Sequence, residues 1–229
     1  MSSSDDDDNA YLMDTNDPKH QITVESIIER LVRCLVSEDY GDTDYWDQRY
    51  CESPDEYEWF MSWKYIFDYV SDFIKDNSVA LNLGCGNSPM SVEMLETKIS
   101  KVINIDISKV VIEQMKSKYK DNSNLIWLPM SCTKLEFDDN SFDCVVEKGT
   151  IDALYCSSNS QQMILETLNE TERVLKPNSH FIVISFGEPK NRSLLVTKSQ
   201  GQMKFIKYIE VTNPKNETIK NYIYIFHKQ

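Results

Sequence analysis

Two glycines flank one cysteine in the stretch Leu81-Asn82-Leu83-Gly84-Cys85-Gly86-Asn87-Ser88, directly after an apolar run. Glycine at such a place lets the backbone turn sharply and lets a ligand come close to the main chain. The helix that follows points its N-terminus at that ligand. Asp106 closes the next apolar run, 22 positions beyond Gly84, where a carboxylate can bond the two hydroxyls of a ribose. The pattern predicts an adenosine-type cofactor lying across the carboxyl ends of neighbouring strands. A dinucleotide fingerprint would want a third glycine where Pro89 stands, which disfavours NAD or FAD. S-adenosylmethionine (SAM) has no pyrophosphate and needs only the first two glycines.

The elements that must hold this loop follow from the texture of the chain. From Ser78 onward short apolar runs alternate with helical patterns. Strands are predicted at 79–83, 102–106, 125–130, 142–147 and 180–185, with helices near 89–98, 109–120 and 160–175. Such alternation means parallel pairing through right-handed crossovers. The runs KFIKYIEV and YIYIFH, separated by TNPKNETIKN, predict a terminal antiparallel hairpin. The expected fold is therefore α/β: a Rossmann-like, seven-stranded, mostly parallel sheet with a C-terminal antiparallel hairpin and helices on both faces. Upstream, Val24, Ile27, Ile28, Leu31, Val32 and Leu35 recur at helical spacing. A second helix is predicted near 55–75, with Trp63, Ile66, Phe67, Val70 and Ile74 on one face. Residues 1–19, which include four consecutive aspartates, read as an acidic flexible tail. The organisation expected is that tail, a helical segment over 20–77 covering the cofactor, and a catalytic domain over 78–229.

Composition narrows the partners. With 24 basic and 37 acidic residues, the formal charge of the 229-residue chain is −13, which disfavours nucleic acid and anionic membrane and favours basic partners. No apolar stretch approaches the roughly 18 residues of a membrane span, and the N-terminus lacks the pattern of a secretory signal. The six cysteines form no C-x-x-C pair and read as reduced thiols of a cytoplasmic protein. The three histidines are far apart and show no ligand spacing, so no metal is expected. The protein is expected to be monomeric.

With LNLGCGNS, VINIDIS, FDCVVEKGTIDAL and RVLKPN in place, the chain resembles the class I, seven-strand SAM methyltransferases from about Val79 to its end. YWDQRY, YEWF and EKGTIDAL narrow the resemblance over roughly 44–229. They are similar to the eukaryotic lysine methyltransferases acting on translation elongation factor 1-alpha, a group that includes the methyltransferase portion of endothelin-converting enzyme 2 fusions. The resemblance implies SAM as cofactor, S-adenosylhomocysteine as product, and elongation factor 1-alpha as partner. It implies that Trp46, Tyr50 and Trp59 line the cofactor pocket, aromatic faces suiting a sulfonium cation, and that Arg49 reaches the cofactor carboxylate. Gly84, Cys85, Gly86, Asn87, Asp106, Ile107, Ser131 and Cys132 are the matched binding positions at the strand ends. Glu147 and Lys148 lie in the loop against the cofactor's methionine end. Glu147 and Asp152 are the candidates to hold the target ammonium or take its proton, whereas Lys148 reads as an exposed charge without a catalytic role.

Two positions depart from the family pattern. Asn82 stands where many relatives carry an acid before the first glycine, and Ser131 stands where another acid contacts adenine. Asn178-Ser179 also replaces the usual Gly-Gly turn. The reading is a protein-lysine methyltransferase. The alternatives are a small-molecule N- or O-methyltransferase, which predicts a deep closed pocket, and a noncatalytic module, which predicts failure to bind SAM.

Overall fold

The computed structural model describes residue 40 and residues 42–197, 201–214 and 216–229. The expected acidic tail and the helix carrying Val24 to Leu35 lie outside the described residues. Residues 39–229 form one compact unit.

Five strands run parallel: β1 (Ser78–Leu83), β2 (Ile99–Asp106), β3 (Leu125–Pro129), β4 (Phe142–Lys148) and β5 (Leu175–Ser185). The hairpin β6 (Met203–Asn213) and β7 (Asn216–Lys228) adds antiparallel strands beyond β5. The order is β3-β2-β1-β4-β5-β7-β6, the predicted seven-stranded sheet. β7 and β6 pair nearly to their tips, with Asn213 opposite Asn216. The run TNPKNETIKN is thus mostly strand and not a long loop, because its Thr and Ile side chains alternate like those on either side.

Before β1 come α1 (Thr43–Glu52) and α2 (Trp63–Val70). YWDQRY therefore lies on a helix of its own, started by the Asp42 side chain accepting from the Asp44 N–H at 3.1 Å. The helix expected from 55 begins only at Trp63. Residues 53–62 form an irregular strap, because Pro54 brings no N–H and Phe60 adopts φ 61°. The crossovers carry α3 (Met90–Leu95) after β1, α4 (Lys109–Lys118) after β2, and α5 (Thr150–Tyr155) and α6 (Ser160–Val174) after β4. The short α7 (Ser193–Thr197) follows β5. The brief α5 had no sequence prediction, since two turns give too little periodicity. Asn178 adopts φ 58°, supplying the left-handed turn that Gly-Gly would have given.

The pleat sends neighbouring β1 side chains to opposite layers. Ala80 joins Trp63, Ile66 and Val70 of α2 and Val111 of α4 on one face. Leu81 and Leu83 join Ile151 of α5 and Ile164 and Val174 of α6 on the other. Both faces are covered, so the central strands bury nearly every side chain. The chain moves outward from β1 to β2 and β3, then returns to β4 on β1's other side. That reversal opens a crevice at the strands' carboxyl ends.

Candidate cofactor and acceptor site

A cavity of about 350 Å³ fills that crevice, a size suited to a small-molecule cofactor. Gly84, Cys85, Gly86 and Asn87 line it from the turn after β1, and Asp106 and Ile107 from the turn after β2. Ser131 and Cys132 line it from the loop after β3, and Lys148 and Gly149 from the end of β4. The glycines turn the chain at φ 59° and 54°. A Cβ on Gly84 would lie 2.1 Å from the Thr150 hydroxyl oxygen, and one on Gly86 would lie 2.9 Å from the Tyr50 hydroxyl. Protein neighbours and the turn itself demand these glycines, where the sequence suggested the approach of a ligand. Thr150 also donates to the Leu83 carbonyl at 3.0 Å, tying the end of β1 to the start of α5.

Asp106 is buried. Its two oxygens accept from the Gly86 N–H at 2.9 Å and the Ser108 N–H at 3.0 Å, and each keeps acceptor capacity for a ribose hydroxyl. Burial pushes the carboxyl up to about 6, and those two backbone donors pull the other way.

The roof is built from the chain before β1. Trp46 and Tyr50, one turn apart on α1, stack with ring centres 5.9 Å apart and line the cavity. Asp47 fixes the helix: it accepts from the Ser108 hydroxyl at 2.5 Å and the Val110 N–H at 3.3 Å, at the start of α4. Gln114 of α4 donates to the Tyr50 carbonyl at 3.1 Å. The strap continues the roof with Trp59 and Phe60. Asn87 donates to the Asp55 carbonyl at 2.5 Å, Ser88 to Glu58 at 2.9 Å, and Asn213 to the Phe60 carbonyl at 2.9 Å. Arg49 does not join the lining. Its guanidinium lies over the rings of Trp59 and Tyr57, 5.5 and 5.8 Å from their centres.

The predicted loop after β4 divides into three roles. Lys148, read from sequence as an exposed charge, is buried and paired with Glu58, and it donates to the Met61 carbonyl at 3.3 Å. The strand predicted over 142–147 runs one residue further and takes Lys148 into the buried end of β4, and its partner lies in the strap, which no local pattern reveals. Glu147, expected beside the acceptor channel, is fully buried and outside the cavity lining. One of its oxygens accepts from the Ile151 N–H at 3.1 Å, capping α5, and burial raises its carboxyl well above the ordinary range. Asp152 does line the cavity, but its carboxylate is engaged. Arg192 reaches it at 2.5 Å, Ser185 donates to it, and the Phe186 N–H bonds it at 3.2 Å. An acid held so fully suits positioning better than proton abstraction.

The two departures are also accounted for. Asn82 is buried and lines the cavity, donating to Asn104 at 3.0 Å and to Ser91 at 3.2 Å. Ser131 bonds the Thr133 hydroxyl at 2.8 Å. Beside it burial pushes the Cys132 thiol up to about 11, which leaves it a neutral wall. Sequence reasoning missed Tyr40, Phe60, Met130, Met163 and Phe186 in the lining. Phe60 sat beside the chosen Trp59. Phe186 follows β5 directly, at the same carboxyl edge of the sheet as Asp106.

These walls fit SAM. Aromatic faces suit a sulfonium cation, and the buried Asp106 suits a ribose. Lys148 is the one cationic side chain among the described lining residues, and Glu58 holds it. A pyrophosphate would therefore meet no free cation. Among the described residues no cluster of His, Cys, Asp and Glu could hold a metal, and no helix is long and apolar enough to cross a membrane.

Comparison with known proteins agrees with this geometry. Residues 81–183 match the model of a methyltransferase domain. The chain is 35% identical over 164 residues to EEF1A lysine methyltransferase 4 of Bos taurus, an alignment covering 67% of this chain and 64% of that protein. It is 28% identical over 188 residues to the eEF1A lysine and N-terminal methyltransferase of Homo sapiens, covering 80% of this chain and 27% of that one. The chain thus spans somewhat under two thirds of the first relative and about a quarter of the second. In fold it is similar to the N-methyltransferase NodS of Bradyrhizobium japonicum, solved with S-adenosyl-L-homocysteine, at TM-score 0.56 and 15% identity, covering 72% of this chain and 84% of that one. With sheet order, glycine turn, strand-end acid and sequence relatives in agreement, the chain belongs to the class I, seven-strand SAM-dependent methyltransferases.

Proposed function

We propose that this protein transfers a methyl group from SAM to the side-chain amine of a lysine in a protein, and that the protein is translation elongation factor 1-alpha, acted on by a monomer in the cytoplasm. The observation that carries the methyl-transfer reading is the cavity at the strand reversal, floored by Gly84, Gly86 and Asp106 and roofed by Trp46 and Tyr50. The names of the sequence relatives support the choice of acceptor. SAM supplies an electrophilic methyl group on a sulfonium; the chain supplies position and dryness. Asp106 would orient the ribose, while Trp46 and Tyr50 exclude water. Holding donor and amine in line is worth up to roughly 7–11 kcal/mol in ideal cases. The acceptor must arrive as a neutral amine, and an apolar, partly desolvated mouth favours that form. Glu147 and Asp152 support the mouth from behind, through α5 and the Arg192 pair. The net charge of −13 fits a basic protein and argues against nucleic acid.

A small-molecule methyltransferase would enclose its acceptor, yet here Trp59 and Phe186 at the cavity wall remain exposed. The test is calorimetric titration with SAM and with NAD, followed by transfer of radiolabelled methyl groups to purified elongation factor 1-alpha. Micromolar SAM binding with labelling of a lysine is expected. Absence of SAM binding would establish a noncatalytic module; SAM binding without protein labelling would leave the enzyme and remove this acceptor.

A further inference from the structure

Four aromatic rings form a continuous lip at the cavity, contributed by two distant parts of the chain. Tyr57 and Trp59 meet edge to face at 4.9 Å and Trp59 and Phe60 at 6.3 Å, and Phe60 and Phe186 meet at a tilt with centres 6.2 Å apart. The first three come from the strap and Phe186 from the residue after β5. Trp59, Phe60 and Phe186 belong to the cavity wall, yet Phe186 is 56% exposed, Tyr57 49% and Trp59 38%. Apolar surface left in water beside a cavity marks a contact surface.

The exposed ring is held in place by buried groups. The Phe186 N–H bonds Asp152, the Gly187 N–H bonds the Ser185 hydroxyl at 2.9 Å, and Tyr224 donates to the Gly187 carbonyl at 2.6 Å. The Arg192 guanidinium occupies the space a Cβ on Gly187 would fill, and lies 5.3 Å from the centre of the Phe186 ring. A buried ion pair contributes little net stability for its desolvation cost. Here the pair helps hold the Phe186 backbone through Asp152, with the ring facing outward.

From this arrangement we infer that the lip, and Phe186 above all, grips the unbranched hydrocarbon stem of the acceptor lysine and sets which amine enters. The inference rests on the protein-lysine reading given above. The lip offers aromatic surface for four methylenes. Asp152, the carboxylate nearest to it on the cavity wall, is already bonded to Arg192, so the stem is recognised more than the charge. Arg49 and Arg192 back rings at either end of the lip; the Arg192 charge is matched by Asp152, so the lip offers the amine no free carboxylate that would hold it as an ammonium.

The test uses the full chain with Phe186→Ala and Phe186→Tyr, reading SAM affinity by calorimetry and the KM and kcat for elongation factor 1-alpha. Phe186→Ala is expected to raise KM for the protein by about tenfold or more. SAM affinity should stay within about twofold of the parent, and Phe186→Tyr should restore most of the loss. An unchanged KM in Phe186→Ala would overturn the inference, as would SAM affinity falling in step with KM, which would assign the ring to the cofactor. A parent chain that binds SAM but labels no lysine would overturn the acceptor reading and the lip together, and that failure shows before any variant is made.

Discussion

Asn82 on β1 and Asn104 on β2 are register partners, and the Asn82 amide donates to the Asn104 oxygen at 3.0 Å inside the protein. The Ser91 hydroxyl bonds the same Asn104 oxygen, and the Asn104 amide donates to the Ile126 carbonyl at 3.3 Å. The amide at position 82 thus belongs to a closed polar network under the glycine turn. Replacing it with an acid would set two acceptor oxygens against each other. Asn82→Asp is expected to destabilise the fold by about 1–3 kcal/mol, read as a lower urea midpoint. A gain in stability would show that the network is not what selects the amide.

The glycine turn makes a second prediction. Gly84→Ala places a Cβ against Thr150 and forces alanine into a left-handed conformation. It should cost about 1–3 kcal/mol, and adding Thr150→Ala should return only the steric part, because the backbone penalty remains. Full recovery in the double variant would mean that φ contributes nothing.

Removing one partner of the Lys148–Glu58 pair leaves a buried charge unmatched. Glu58→Gln should therefore cost about 3–5 kcal/mol. The double variant Glu58→Gln with Lys148→Met should lose less than Glu58→Gln alone, measured by denaturant unfolding. Equal losses would show that the two charges do not interact.

Two carboxyls give opposite-looking pH effects on binding and stability. Asp106 must be ionised to accept ribose hydroxyls, and its carboxyl is pushed up to about 6. SAM affinity should be level above that pH and fall about tenfold per unit below it, and Asp106→Asn should bind weakly at every pH.

Glu147 acts on the fold itself. Its carboxyl sits well above 4.5 in the folded protein. The stability this group contributes is fully present below that unfolded value and is lost as pH rises through the folded one. Glu147→Gln keeps an oxygen for the Ile151 N–H and removes the titration. It should therefore be at least as stable as the parent at neutral pH, with a flatter stability profile. A marked loss of stability there would show that the buried carboxylate is ionised and matched.

The parallel strands and the glycine turn were legible because burial on both faces writes unbroken apolar runs, and because the strand-end positions of Gly84 and Asp106 are local in sequence. Irregular backbone was less legible. Phe60 has a positive φ that nothing in the residue type announces, so the strap read as helix. Lys148 reads as an exposed charge and Asp152 as a free carboxylate for the acceptor because their partners, Glu58 and Arg192, lie 90 and 40 positions away. Long-range ion pairs leave no period in a sequence. Phe186 lies one residue beyond the strand predicted over 180–185 and belongs to no motif of its own.

The roof over the cavity is made by the chain's early part, yet it is fastened to its last part. The Phe60 carbonyl is bonded by Asn213, and the Tyr65 hydroxyl reaches the Thr212 carbonyl. During synthesis, which proceeds from the N-terminus, α1 and the strap leave the ribosome with nothing to close upon. Their anchors at Asn87 and Ser88 after β1, on α4 and at Lys148 of β4 come later, and the hairpin later still. Contacts across some 150 residues form slowly because the loop must close before they reward it. The nascent chain therefore fastens its cofactor chamber only after the β6–β7 hairpin has been made, with Trp46, Trp59 and Phe60 uncovered in the interval.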